Sequence, residues 1–246
     1  MVRPIRYNID TAVPQRSGGL WRCLRTGLAV LFLGISLAGC AEYEPAVVER
    51  PITWDAERER LSLAYLEARY GLTPVTPRIN PKMVVLHWTA IPTLEKSLEA
   101  FEPSRLPQTR PDIQTAGALN VSAHYLVDRD GTIYHLLADT LMARHTIGLN
   151  HCAIGIENVG GTPETPLTEA QLKANIWLVR HLKASFPITY LIGHHEYTSF
   201  EGHPLWLEQD SAYRTEKTDP GPAFMNDVRR AVKDLGLQGP PKMQNP

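Results

Sequence analysis

Two short apolar stretches in this chain end on histidine, and a third segment sets a lysine two residues from an aspartate. The first two are Val84-Val85-Leu86-His87 and Leu191-Ile192-Gly193-His194; the third is Lys217-Thr218-Asp219-Pro220-Gly221-Pro222. Histidines that close strands present their rings at a sheet edge. Two neutral imidazoles and one carboxylate make a three-ligand zinc set with an open fourth position. His87, His194 and Asp219 are therefore the candidate metal ligands. His195 competes with His194, but adjacent residues at a strand end point to opposite sides, and Gly193 lets the backbone turn at His194. An ion held this way lowers the pKa of a water to about 7 and polarises a carbonyl. The plainer readings are a hydrogen-bonded structural histidine for His87 and a turn-forming Asp-Pro at 219.

Glu157 stands in Ile154-Gly155-Ile156-Glu157-Asn158-Val159-Gly160, an acid in an otherwise apolar strand. Burying an unpaired carboxylate is costly, so this residue needs a partner or a task. Beside an activated water it is a candidate general base; otherwise it forms a structural ion pair, with Arg144 as the available partner. Lys217 is a candidate point charge for a developing oxyanion, against the plainer reading of a solvated surface lysine. All nine histidines lie between His87 and His203, which concentrates metal and acid–base capacity in one region.

Elements that position these groups can be read from pattern. Trp54–Tyr70 reads as a helix with Leu61, Ala64, Leu66 and Tyr70 on one side and Gly71 as its stop. Lys82–His87 reads as a buried strand, Leu94–Phe101 as a short helix and Ala153–Val159 as another strand. Ser122–Val127 and Thr132–Leu137 flank Asp128-Arg129-Asp130-Gly131, a hairpin signal. Thr168 and Gln171 form a capping-box pattern before a helix with Leu172, Ile176, Val179 and Phe186 on one face. Thr189–Ile192 reads as a strand, and Pro222–Leu235 as a last helix facing inward with Phe224, Val228, Ala231 and Val232. Strands separated by helices without strict alternation predict an α/β domain around a central mixed sheet flanked by helices.

The chain has 246 residues, room for one domain with a substantial core or two small ones. A formal net charge of −1 gives no electrostatic case for a nucleic-acid partner. Residues 1–40 read as an export signal: Arg22 and Arg25 precede the apolar run 27–36, which is too short to span a bilayer comfortably. The run ends in Leu37-Ala38-Gly39-Cys40, which resembles a bacterial lipobox with Cys40 as the lipidated residue. Ala41 resembles an outer-membrane sorting signal of Gram-negative bacteria, so the expectation is a lipid anchor at the outer membrane, facing the periplasm. Residues 41–78 then form a tether and an N-terminal helix, and 238–246 a Pro-rich tail. With Cys23 lost and Cys40 lipidated, Cys152 stays as a buried small hydrophobe without a disulfide partner.

Taken together, Val84–Ala90, Ser122–Leu137, Ala153–Gly160, Ile192–His194 and Lys217–Gly221 resemble the zinc-dependent N-acetylmuramoyl-L-alanine amidases, which share a fold with peptidoglycan recognition proteins. The resemblance covers 79–237 and implies a single catalytic domain. It implies hydrolysis of the amide between N-acetylmuramic acid and L-alanine, with peptidoglycan or muropeptide fragments as partners and zinc as cofactor. By position it implies His87, His194 and Asp219 as zinc ligands and Glu157 and Lys217 as catalytic residues. Trp88, His145, Asn150 and Trp206 are the expected substrate contacts, and a monomer is expected. Ala143-Arg144-His145 lies where relatives carry a Trp-His pair, with Arg144 in place of the tryptophan. Asp219 follows His194 by 25 residues, a longer gap than the family pattern. The added stretch Glu196–Glu216 is aromatic and expected to fold over the groove, a simple surface loop being the alternative. No cell-wall-binding segment is read after the amidase segment, so substrate capture is expected to rely on groove and anchor. Rival functions are a non-catalytic peptidoglycan-binding module and a zinc peptidase of the stem peptide.

Overall fold

The computed structural model describes residues 43–108 and 111–242. In chain order they form β1 (Val47–Glu49), α1 (Ala56–Tyr70), β2 (Met83–Leu86), α2 (Leu94–Phe101), α3 (Pro111–Gln114), β3 (Tyr125–Val127), β4 (Ile133–His135), β5 (Ala153–Asn158), α4 (Glu169–Ser185), β6 (Tyr190–Gly193) and α5 (Pro222–Ala231). Short 3₁₀ segments occupy His194–Phe200 and Lys233–Leu235. The expected signal peptide and Cys40 lie outside the described residues, as do 243–246 of the expected tail. Among the described residues, no helix is long and apolar enough to cross a membrane.

The unbroken apolar run of β2 has a topological cause. β2 lies inside a six-stranded sheet of order β1-β4-β3-β5-β2-β6, flanked on both sides by parallel partners. Strands covered on both faces need apolar residues at every position. Met83 and Val85 face a core built with Leu61, Tyr65, Leu66 and Tyr70 of α1. Val84 and Leu86 face the opposite core, with Leu178, Val179 and Leu182 of α4 and Met225, Val228 and Val232 nearby. The only antiparallel pair in this sheet is the β3–β4 hairpin, turned by Asp128–Gly131 as expected. The predicted mixed sheet flanked by helices is thus observed, and all described residues fall in one compact unit, Glu42–Pro246.

Helix ends follow the sequence signals. Asp55 accepts the Arg58 N–H at 2.7 Å, and the Gly71 N–H donates to Glu67 O to close α1. Thr168 and Gln171 make the reciprocal capping box of α4. The buried faces differ from the expected ones. On α1 Ala64 is exposed and Tyr65 is buried. On α4 Leu172, Ile176 and Phe186 only flank a face centred on Ala174, Leu178, Val179 and Leu182. Two amides turn α4 this way: Gln171 Nε2 donates to the Val127 and Val159 carbonyls, and Asn175 pairs with Asn158. On α5 Met225, Val228 and Val232 are buried, whereas Ala231 is exposed and Phe224 half-buried. Residues 43–53, in the part of 41–78 expected as a tether, supply edge strand β1 and the buried Ile52.

The stretch Glu196–Glu216 is folded into the domain. Tyr197, Phe200 and Tyr213 are buried in the core shared with α1. The Tyr197 hydroxyl donates to Thr215 O at 2.8 Å and accepts the Thr215 N–H at 2.9 Å. Arg69 of α1 reaches Glu208 at 2.6 Å, with both side chains nearly inaccessible. Removing one partner of a buried pair strands the other charge. Glu208→Ala is therefore expected to cost about 3 kcal/mol in urea unfolding and to open 196–216 to proteolysis. A stability change within error would show that the segment is held by its aromatic packing alone.

Two histidines away from the ligands make folding acid-sensitive. Burial pushes His124 and His151 down to about 4 from an ordinary value of 6.5. The unfolded chain therefore binds more protons between pH 6.5 and 4, so stability falls as pH drops through that window. At about 1.4 kcal/mol per unit, His124 alone contributes a loss of about 3 kcal/mol, complete below pH 4. Urea midpoints measured with a chelator should fall between pH 7 and pH 5; a flat profile would contradict this.

Candidate metal centre

Three adjacent strands carry the site because they end in register. β5, β2 and β6 run parallel, with Ile156 opposite Leu86 and Leu86 opposite Gly193. The next residue on each strand is Glu157, His87 and His194. In-register neighbours share a face, here the face that Val85 and Ile192 present to α1. The site thus lies outside the carboxyl ends of the parallel strands, where open α/β sheets bind ligands.

Asp219 reaches this edge from the loop before α5. Its Oδ2 lies 3.2 Å from His87 Nδ1 and 3.1 Å from His194 Nδ1. All three residues are buried, and their donor atoms lie within 4.8 Å of one another. Ligands about 2.0–2.1 Å from a tetrahedral zinc stand about 3.3 Å apart, so these separations suit such an ion. His195 turns away from the cluster as expected: its N–H and Nδ1 both meet the Asp219 carbonyl at 2.9 Å. The same dipeptide therefore supplies one ligand and clamps the backbone of another.

Electrostatics keep His194 and Asp219 in ligating form. Burial, with the neighbouring His87, pushes His194 down to about 4. Burial also raises Asp219, but His194 and His87 outweigh it and hold the carboxyl well below the usual carboxylate range. Cys152 is a buried free thiol pushed up to about 12 by burial, which makes it inert.

The cluster sits in a cleft of about 270 Å³ whose lining includes Trp88, Glu157, Lys217, Tyr213 and Thr215. The expected catalytic pair is thus brought to the ligands. Trp88 is fixed by Gly161, whose φ of +98° and missing Cβ leave room for the indole; a Cβ there would lie 2.2 Å from Trp88 Cγ. His145 and Asn150 also border the cleft but are buried; both His145 ring nitrogens and Asn150 Oδ1 are engaged inside the protein. Trp206 is not among the lining residues. Its ring stacks on Tyr197 at 6.1 Å and carries Arg214 at 4.7 Å, so it braces the inserted segment. Tyr213 and Thr215 are that segment's contribution to the cleft, along with Tyr65 of α1. Tyr213 is one of the aromatic residues that made this stretch a candidate to fold over the groove, whereas Tyr65 and Thr215 carry no sequence signal for a place in the cleft. Arg144 is buried and donates to the carbonyls of Ile113, Gly117 and Leu119 and to the Tyr213 hydroxyl. It ties the cleft wall together where the family pattern has an indole.

Residues 77–222 match the family model described as N-acetylmuramoyl-L-alanine amidase. Peptidoglycan recognition protein 3 of Mus musculus is 30% identical over 123 residues, 48% of this chain and 35% of that protein. The endolysin of Klebsiella phage KP32 is 32% identical over 85 residues, 32% of this chain and 56% of that protein. These matches span between about a third and just over half of the curated relatives' lengths. Among solved structures, the N-acetylmuramoyl-L-alanine amidase LysC from Clostridium intestinale URNW aligns with a TM-score of 0.46 and 22% identity, covering 79% of this chain and 100% of that chain. Human PGRP-IBETAC, in complex with glycosamyl muramyl pentapeptide, aligns with a TM-score of 0.44 and 21% identity over 62% of this chain and 85% of that one.

Proposed function

This chain belongs to the N-acetylmuramoyl-L-alanine amidase family, and from that premise we propose that it is a zinc enzyme hydrolysing the amide between N-acetylmuramic acid and L-alanine in peptidoglycan or muropeptide fragments. The observation that carries the reading is the His87–His194–Asp219 cluster, whose two histidines are in register with Glu157 at the edge of a cleft. Zinc, when bound there, supplies the Lewis acidity that makes water a nucleophile near neutral pH. Glu157 takes the proton from the attacking water and hands it to the leaving nitrogen of L-alanine. Lys217, which lines the same cleft, offers its ammonium to the oxyanion that forms on the carbonyl. Trp88 walls the cleft as a rigid apolar surface against which the substrate lies.

The same reading places the protein on a lipid anchor at Cys40, supported by the Leu37-Ala38-Gly39-Cys40 sequence. Metabolic labelling with a fatty acid, lost in Cys40→Ser, tests that placement. Mass spectrometry of digested peptidoglycan, with and without a chelator, tests the reaction. Glycan freed of peptide, together with intact peptides beginning at L-alanine, is the expected result, abolished by chelation. Peptides cut internally would make the protein a stem-peptide zinc peptidase, and binding without products a recognition module. A complete ligand set beside Glu157 favours the enzyme over the binder.

A further inference from the structure

His145 stands behind the ligand His87 and touches it. Its Nδ1 lies 3.0 Å from His87 Nε2, and its Nε2 lies 3.3 Å from the Ala153 carbonyl oxygen. A carbonyl only accepts, so His145 Nε2 carries the proton, and Nδ1 of the neutral ring is then an acceptor. The Thr146 hydroxyl, 2.8 Å from the same Nδ1, shares its single lone pair. An unprotonated Nδ1 faces His87 Nε2 at 3.0 Å, so Nε2 carries a proton and, in the neutral ring, His87 Nδ1 is the lone pair. That lone pair faces Asp219 Oδ2 at 3.2 Å. Two buried acceptors at this distance repel unless a cation lies between them. We propose that His145 is a positioning residue, which locks His87 in its Nε2–H tautomer and so turns Nδ1 toward the metal. The inference rests on the zinc reading above and adds a residue to it.

Separate features of the chain build the seat for this ring. Gly155 of β5 leaves the space: a Cβ there would lie 2.7 Å from His145 Cγ. Asn150 Oδ1 accepts the backbone N–H groups of both His145 and Thr146, at 2.9 and 2.7 Å. The ring is thus held by backbone and packing before any ligand arrives. Outer partners of metal-bound histidines orient the ring and select its tautomer, and their loss weakens metal affinity by about 10–100-fold.

Two measurements made without substrate test the proposal. Long-range ¹H–¹⁵N spectra of the metal-free wild-type protein should show a proton on His87 Nε2, the nitrogen that faces His145. Zinc affinity, measured by competition with a chelator, should fall by about 10–100-fold in His145→Leu. Most of it should return in His145→Asn, whose side-chain oxygen takes the place of Nδ1. A His87 ring with Nε2 unprotonated in the wild-type spectrum overturns the proposal and needs no variant to fold. Unchanged zinc affinity in folded His145→Leu overturns it as well. Failure to release amidase products would count against the reaction alone, since neither measurement involves turnover.

Discussion

Asp219→Ala is expected to lose zinc and amide hydrolysis together. Asp219 is the only anionic member of the ligand set, and its Oδ2 meets both histidines at nearly equal distances, 3.2 and 3.1 Å. Without it, two neutral imidazoles face a divalent ion in a buried site with its charge uncompensated. His194 and His87 hold the carboxyl well below the usual carboxylate range despite its burial, so the ligand is charged at neutral pH. The substitution removes little else. The backbone at 219 stays clamped through its carbonyl by His195, and the Pro220–Gly221 turn into α5 is retained. Zinc affinity should therefore drop by more than the about 100-fold reached by losing an outer partner, in a protein with an unchanged far-UV spectrum. Metal analysis after dialysis and a muropeptide assay are the checks. Full zinc content with full turnover would remove Asp219 from the site.

How much of this was legible beforehand depends on the range of the interaction concerned. Strand β2 and helices α1 and α4 could be placed because an apolar run, a glycine stop and a capping box are local signals. His87 and His194 could be chosen because each closes such a run. The pairing that makes them neighbours is non-local: no pattern within β5, β2 or β6 announces that Ile156, Leu86 and Gly193 align. The buried amides of Gln171 and Asn175 misled the reading of α4, since a hydropathy pattern places amides outside and cannot see the strand-end carbonyls that satisfy them. The same limit applies to Trp206 and His145. Both residue types suit a substrate groove, but one is spent on Tyr197 and Arg214 and the other on His87. Edge strand β1 is a run of three residues, too short to carry a periodic signal.

Glu157→Gln is expected to keep zinc and lose turnover, which separates the proton carrier from the metal. Glu157 follows Ile156 on β5 and lines the cleft, while the three donors that cluster within 4.8 Å do not include it. Glutamine is nearly isosteric, so the strand register with Leu126 and the cleft wall should survive the change. What disappears is the ability to accept a proton from water and return it to the departing nitrogen. A positioned general base contributes about 10²–10⁴-fold, and one that serves both half-steps should fall at the upper end. The loss should appear in kcat with KM little changed, because substrate and transition state lose different interactions. Zinc affinity should remain at the wild-type level, in contrast to Asp219→Ala. If turnover instead stayed normal while zinc was bound, the proton would have to travel by another group in the cleft, and Glu157 would be reduced to a polar residue of the wall.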